Sequence, residues 1–400
     1  MKEEHRTQLL EALVAADAVA PKARSADEAL FFAVVTLRDF PEAAFPELRQ
    51  LLEVIQKPPE LEIFNGARQC GPCNALTVDV YFLVRWLLSR AQQVGPDTAV
   101  SDLGRYLSTE SLELVETLVF DGVEVPAAVQ VGDFEITPWQ ALPMTETKWR
   151  IGRDALFGRL PPRAAIRRSW HVPRIQLRPW EQWNGPTAYS FDPMQDALRC
   201  VTATMGAAVR LTHWWFEPPE WAPWAVMPSQ FLGDTTNFGP AMTLTDDWLP
   251  ELCACTRQLS ALEESQRQRL RVPMDRLNRS LLAGIRFVDA AIELGIALES
   301  LYAPRKLAEA TAYAVRTRAA RFLGGTEEQR RATLEQVKDV YDLRSCAVHA
   351  GRFDGDGAKK KWRDPSAVRK AIEDGQKVAG RSIVEVILNG EPDWERFDLA

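Results

Sequence analysis

The stretch Tyr341-Asp342-Leu343-Arg344-Ser345-Cys346-Ala347-Val348-His349-Ala350-Gly351 sets a guanidinium, a hydroxyl and an imidazole close together at the end of a long helical pattern. Histidine titrates near pH 6.5 in its ordinary state, so it can move protons at neutrality. Arginine stays charged and presents a planar fork that grips phosphate or carboxylate oxygens in pairs. On a regular helix Arg344 and His349 are rotated about 140° apart, whereas Ser345 and His349 share a face at i, i+4. Gly351 supplies a helix stop just beyond them. The ring of His349 therefore falls near a helix end, free to swing toward a ligand or partner while Arg344 stays anchored about a turn back. The plainer alternative is that a histidine in a last turn complements the helix dipole and bonds a free carbonyl.

The elements that must position this stretch are helical. Four segments, at about 274–302, 304–322, 327–348 and 365–388, carry helical apolar spacing. Gly324-Gly325 closes the second, Thr326-x-x-Gln329 reads as a capping box for the third, and Asp364-Pro365 caps the fourth. Short connections between such segments predict a bundle. Residues 4–93 also read as helices, with candidates near 29–40, 45–55 and 76–88. Asp121-Gly122, between 118–120 and 123–125, is a hairpin signal, and 134–136 and 209–216 read as strands. Asp192-Pro193 starts a helix over 192–205. The expected class is α+β multidomain: a helical N-terminal region (1–115), a mixed α/β Trp- and Pro-rich middle (116–264) and a C-terminal bundle (265–400). The middle region is a candidate sensor or regulatory part and could form one unit with 1–115.

Composition narrows the function classes. The chain has 400 residues, 46% of them hydrophobic, enough for more than one core. The net charge of −7 argues against a non-specific nucleic-acid coat, so phosphate contacts must come from a local basic patch. Mixed charge at Met1-Lys2-Glu3-Glu4-His5-Arg6 does not suit a secretory leader, and the apolar runs are too short to span a bilayer. Six scattered cysteines make no disulfide framework. A cytoplasmic protein without membrane contact is expected.

Leu298-Glu299-Ser300-Leu301, then Tyr341-Asp342-x-Arg344-Ser345, then His349-Ala350-Gly351, resembles the Apea-like branch of the HEPN superfamily over about the last third of the chain. The Arg-x4-His spacing falls within the family's Arg-x(4–6)-His motif, and residues 277–301 are similar to its first helix. The resemblance implies a four-helix bundle and a metal-independent endoribonuclease without cofactor, in which two bundles pair as a homodimer so that their motifs face one another. It also implies the catalytic set Arg344, His349, Ser345 and Glu299. His349 would transfer protons and Arg344 would grip the phosphate. Ser345 could orient the ring or the phosphate, and Glu299 could hold Arg344 or His349. Members of this kind often act as toxins or as effectors of anti-phage defence. The competing reading is a non-catalytic HEPN module that binds RNA, nucleotide or a protein partner.

Three further features carry weaker signals. The segment after the motif holds Arg352, Lys359, Lys360, Lys361, Arg363, Arg369 and Lys370 against Asp354, Asp356 and Asp364. Arg352, the lysines 359–361 and Trp362 could track an RNA backbone and stack a base, although such loops are often only solvated. Cys70-Gly71-Pro72-Cys73 has redox spacing without the βαβ surroundings of a redox fold, which leaves a structural role or redox regulation. The distant Cys253-x-Cys255 is a poor complement for zinc. The cluster His213-Trp214-Trp215, Trp221 and Trp224 reads either as core or as a ligand groove.

Overall fold

The computed structural model describes residues 1–20, 45–66, 68–70, 75–155, 162–173, 176–177, 191–223, 230–232, 241–303, 311–353 and 359–399. The chain is a mixed α+β protein with helices at both ends and an antiparallel sheet between them. In the N-terminal part, α1 (Glu3–Val19) buries Leu9, Ala12, Leu13 and Ala16, one stripe at helical spacing. It packs on α2 (Pro46–Gln56), α3 (Val80–Val94) and α4 (Pro96–Ser108). The helix expected from residue 76 starts later. Residues Ala75–Thr77 instead form β2, antiparallel to β1 (Arg68–Cys70), whose other edge pairs with β8 (Gln176–Leu177), and Asp79 caps α3 by accepting from the Phe82 amide at 2.7 Å. The candidate helix at 29–40 and the Gly71–Cys73 part of the cysteine motif lie outside the described residues.

Strand β3 (Ser111–Asp121) is the axis of the six-stranded sheet. With β5 (Val129–Val131), β6 (Phe134–Pro138), β7 (Ala164–Pro173), β9 (Arg210–Glu217) and β10 (Gln230–Phe231), the order is β10-β9-β3-β7-β6-β5, antiparallel throughout. Leu112, Leu114, Leu118 and Phe120 face the main core, while Val119 on the opposite face joins Trp139, Leu142, Ile151, Ala165 and Trp215 in a smaller one. The Asp121-Gly122 turn does not close the expected hairpin. Gly122 has φ +98°, and a Cβ there would lie 1.7 Å from the Ala208 carbonyl oxygen. The glycine lets the chain slip past that carbonyl into β4 (Val123–Glu124), which pairs in parallel with β11 (Met242–Thr243).

The described tryptophans of the expected groove pack into or against the core. Trp214 and Trp215 are buried, and Trp214 meets Phe191 and Phe216 edge-on at 5.5 and 5.3 Å. Trp221 packs against the core under the Arg105 guanidinium, and Trp224 lies outside the described residues. At the centre of the sheet Glu116, fully buried, accepts from Arg168 Nε (2.5 Å), Trp170 Nε1 (2.8 Å) and Trp214 Nε1 (2.6 Å). Two of the indoles that the sequence makes conspicuous are thus donors to one internal carboxylate.

After α5 (Glu146–Ala155), the C-terminal helices are α6 (Asp192–Met205), α7 (Leu249–Ala261), α8 (Glu264–Leu281), α9 (Phe287–Tyr302), α10 (Thr311–Phe322), α11 (Glu327–Ala350), α12 (Pro365–Asn389) and α13 (Trp394–Leu399). Packing runs across residue 265. Helix α12 touches α6, α7, α8, α9 and α11, and α6 is tied to α8 by Arg199–Asp275 at 2.7 Å and Arg271–Asp196 at 2.7 Å. The single helix expected over 274–302 is two, because the chain turns through Gly284 (φ +78°) between α8 and α9. No described helix is long and apolar enough to cross a membrane.

Helix α13 is held by Arg318, whose buried guanidinium bonds both carboxylate oxygens of Asp398 and donates to the Tyr302 carbonyl at 2.9 Å. Trp394 closes the joint against Tyr302, Phe322 and Phe397. Hydrogen bonding to Arg318 lowers the pKa of Asp398 below its ordinary value. A carboxylate depressed in the folded state contributes stability above its unfolded pKa and loses it as the pH falls through the folded one. The gap between the thermal midpoints of wild type and Asp398→Asn is therefore expected to close on acidification from about pH 5 to below the folded pKa of Asp398. A gap that persists at the acid end would contradict this.

Candidate active site

Helix α11 is delimited by local signals at both ends. Thr326 Oγ1 accepts from the Gln329 amide and Gln329 Oε1 accepts from the Thr326 amide at 2.8 Å, a reciprocal capping box. At the other end Gly351 (φ +65°) terminates the helix and donates to the Ala347 carbonyl at 3.0 Å. Val337, Val340, Leu343 and Ala347 form its buried stripe. His349 lies in the final turn and is exposed, as are Ser345 and Val348.

Two glycines let neighbouring helices approach α11 closely. A Cβ on Gly295 of α9 would lie 2.1 Å from Arg344 Cδ and 2.8 Å from its Nε, and one on Gly375 of α12 would lie 2.4 Å from a Val340 methyl. The Arg344 stem therefore crosses α9 in a notch that only glycine leaves open. Its Nη1 then donates to Glu299 Oε1 at 2.7 Å, one turn further along α9. The Tyr341 ring centroid lies 5.8 Å from the Arg344 guanidinium carbon. Burial, with the neighbouring Glu299 carboxylate, pushes the Tyr341 phenol well above its ordinary pKa, so it stays protonated and a donor.

Of the two roles open to Glu299, the structure shows the carboxylate on Arg344. Among the described residues His349 has no hydrogen-bond or ion-pair partner, and Ser345 makes no bond to it although both occupy the exposed face. Cys346, beside Ser345, is no ready nucleophile: burial and the nearby Asp342 raise its thiol pKa. The Arg344–Glu299–Tyr341 group is thus assembled across two helices, and the imidazole stands apart at the helix end.

The basic segment differs from its expected form. Trp362 is 3% exposed and belongs to the core, so it cannot stack a base as placed. Its apolar ring gains more from burial between helices than from standing in water. Lys359 is paired with Asp342 and Lys361 with Asp339, both carboxylates on α11. Lys361 also lies 4.2 Å from the Trp362 ring centroid. Lys360 and Arg352 remain at the surface. Elsewhere, Cys255 is buried against Cys200, whose thiol pKa is raised by burial and by that neighbour. Among the described residues no group of three histidine, cysteine or acidic side chains is arranged to hold a metal.

Two contributors, Gly295 and Tyr341, carry little signal in the sequence. A lone glycine inside a helix such as α9 costs about 1 kcal/mol relative to alanine, and that cost is the mark of a close approach. Tyr341 reads equally as packing or as cleft support until its neighbours are known. No protein-family model, curated protein or solved structure matches the chain.

Proposed function

We propose that this chain is a metal-independent endoribonuclease of the HEPN type, acting as a homodimer through its C-terminal bundle. The observation that carries the reading is Arg344 held in the Gly295 notch by Glu299 while His349 stands exposed on the last turn of the same helix. RNA is cut without a metal when a base takes the 2′-OH proton, a cation neutralises the pentacoordinate phosphate and an acid protonates the departing 5′-oxygen. Arg344 supplies the cation; its Nη1 is engaged by Glu299, and no described residue occupies Nη2. His349 supplies proton transfer, and a second copy of the chain supplies a second imidazole, so one acts as base and the other as acid. The products are a 2′,3′-cyclic phosphate and a 5′-hydroxyl. Such an activity suits a toxin or an effector of anti-phage defence, by analogy with the family that the motif resembles.

The direct test incubates the full chain with RNA in excess chelator and analyses the new ends. Cleavage leaving 2′,3′-cyclic phosphates is expected. RNA binding without cleavage would replace this reading with that of a non-catalytic module. Alanine at Lys359, Lys360 and Lys361 together is expected to weaken RNA binding at low salt and to flatten the dependence of affinity on salt. Unchanged binding across a salt series would remove these lysines from the interface.

A further inference from the structure

We infer that Tyr341 and Gly295 are positioning residues that set the orientation and effective charge of the Arg344 guanidinium, an inference that rests on the ribonuclease reading for its catalytic consequence. On α9, Gly295 and Glu299 are one turn apart on the same face, and on α11 Tyr341 and Arg344 stand at i, i+3. The stem of Arg344 lies across the first of these residues and its head meets the second, so the guanidinium reaches its carboxylate only if the notch stays empty. Any side chain at Gly295 must displace Cδ, and with it every atom beyond.

Tyr341 acts on the same group from the other side. Its ring flanks the guanidinium, with the centroid 5.8 Å from the guanidinium carbon, and its hydroxyl is buried and held protonated by burial and the Glu299 charge. Glu299 alone would neutralise Arg344 in the cleft and leave little positive charge for a phosphate. The phenol dipole on the other side of the guanidinium offsets part of the carboxylate's field, so the arginine keeps more of its charge for the developing oxyanion. The hydroxyl oxygen of Tyr341 and Nε of Arg344 are both buried without a well-aligned partner of their own. No proton or bond changes hands at Tyr341.

The experiment compares Tyr341→Phe and Gly295→Ala with wild type in steady-state RNA cleavage, thermal unfolding and crystal structures. Tyr341→Phe keeps the ring and is expected to unfold with wild type. It should lower kcat about tenfold, the scale of one polar group's interaction with a charge, with KM within about twofold because only the transition state carries the extra charge. Gly295→Ala should lower kcat about 100-fold, the scale of an ångström-sized misplacement, with the Arg344–Glu299 bond broken in its crystal structure. Wild-type kcat in Tyr341→Phe together with an intact Arg344–Glu299 bond in Gly295→Ala overturns the inference. A fall in kcat for Tyr341→Phe accompanied by a lowered unfolding temperature also overturns it, by reducing the tyrosine to a packing residue. If wild type cleaves no RNA, the ribonuclease reading fails. The crystal structures then decide the positioning claim alone: a displaced guanidinium in Gly295→Ala upholds it, and an unmoved one rejects it.

Discussion

His349→Ala and Arg344→Ala are each expected to lower RNA cleavage by at least about 100-fold in the presence of chelator, with folding unchanged for the histidine variant. General acid–base catalysis by one positioned group contributes roughly 10²- to 10⁴-fold, and loss of one preformed charge at a developing oxyanion costs about as much. The two variants should differ in their other properties. His349 is exposed and makes no bond among the described residues, so its truncation should leave the thermal midpoint where it was. Arg344 fills the Gly295 notch and neutralises Glu299, so its truncation opens a gap and leaves a half-buried carboxylate alone. Arg344→Ala should therefore lose both cleavage and some stability. Mixing the inactive His349→Ala and Arg344→Ala chains should not restore activity, because the mixed dimer holds one imidazole where a base and an acid are both needed. Cleavage by both single variants at the wild-type rate would end the ribonuclease reading.

Glu116→Gln is expected to cost about 3–5 kcal/mol of stability, as for breaking a buried pair by removing one partner. The carboxylate is fully buried in the central strand and accepts from one guanidinium and two indoles. Glutamine has nearly the same shape, but its amide NH2 replaces one acceptor and must face a donor. The half-buried Arg168 then loses this charge-assisted bond. The loss should appear as an earlier midpoint in denaturant titration, with the far-UV spectrum of the native state unchanged. Adding Arg168→Leu to Glu116→Leu should recover only part of the loss, because the bonds from Trp170 and Trp214 to the carboxylate are still gone. A Glu116→Gln midpoint equal to that of wild type would show that these bonds contribute little beyond packing.

Several features were legible in the sequence because they depend on residues within a few positions of one another. The Thr326–Gln329 box, the Asp364-Pro365 start, the Gly351 stop and the strand at 209–216 all appear close to where spacing and capping chemistry place them. The alternation of helical ends and a β middle was legible for the same reason. The break at Gly284 was missed because apolar residues continue through 277–301 and mask a turn that costs only one glycine. The Asp121-Gly122 pair was misread because its local chemistry suits a hairpin, while the decisive contact is with Ala208, far along the chain.

By itself the sequence determined the types of the reactive side chains, their register on α11 and the exposure that a histidine gains in a last helical turn. Those properties follow from helix geometry and need no knowledge of distant neighbours. Only the tertiary structure decided that Glu299 takes Arg344, that Gly295 opens the path between them, that Asp342 and Asp339 hold Lys359 and Lys361, and that Trp362 faces inward. Each of these depends on where α9, the 359–363 segment and α11 meet, and helix packing sets that through the size of side chains far apart in the chain. Arg344 and His349 stand on one helix by sequence, but the helix crossing at Gly295 is what directs the guanidinium to its carboxylate.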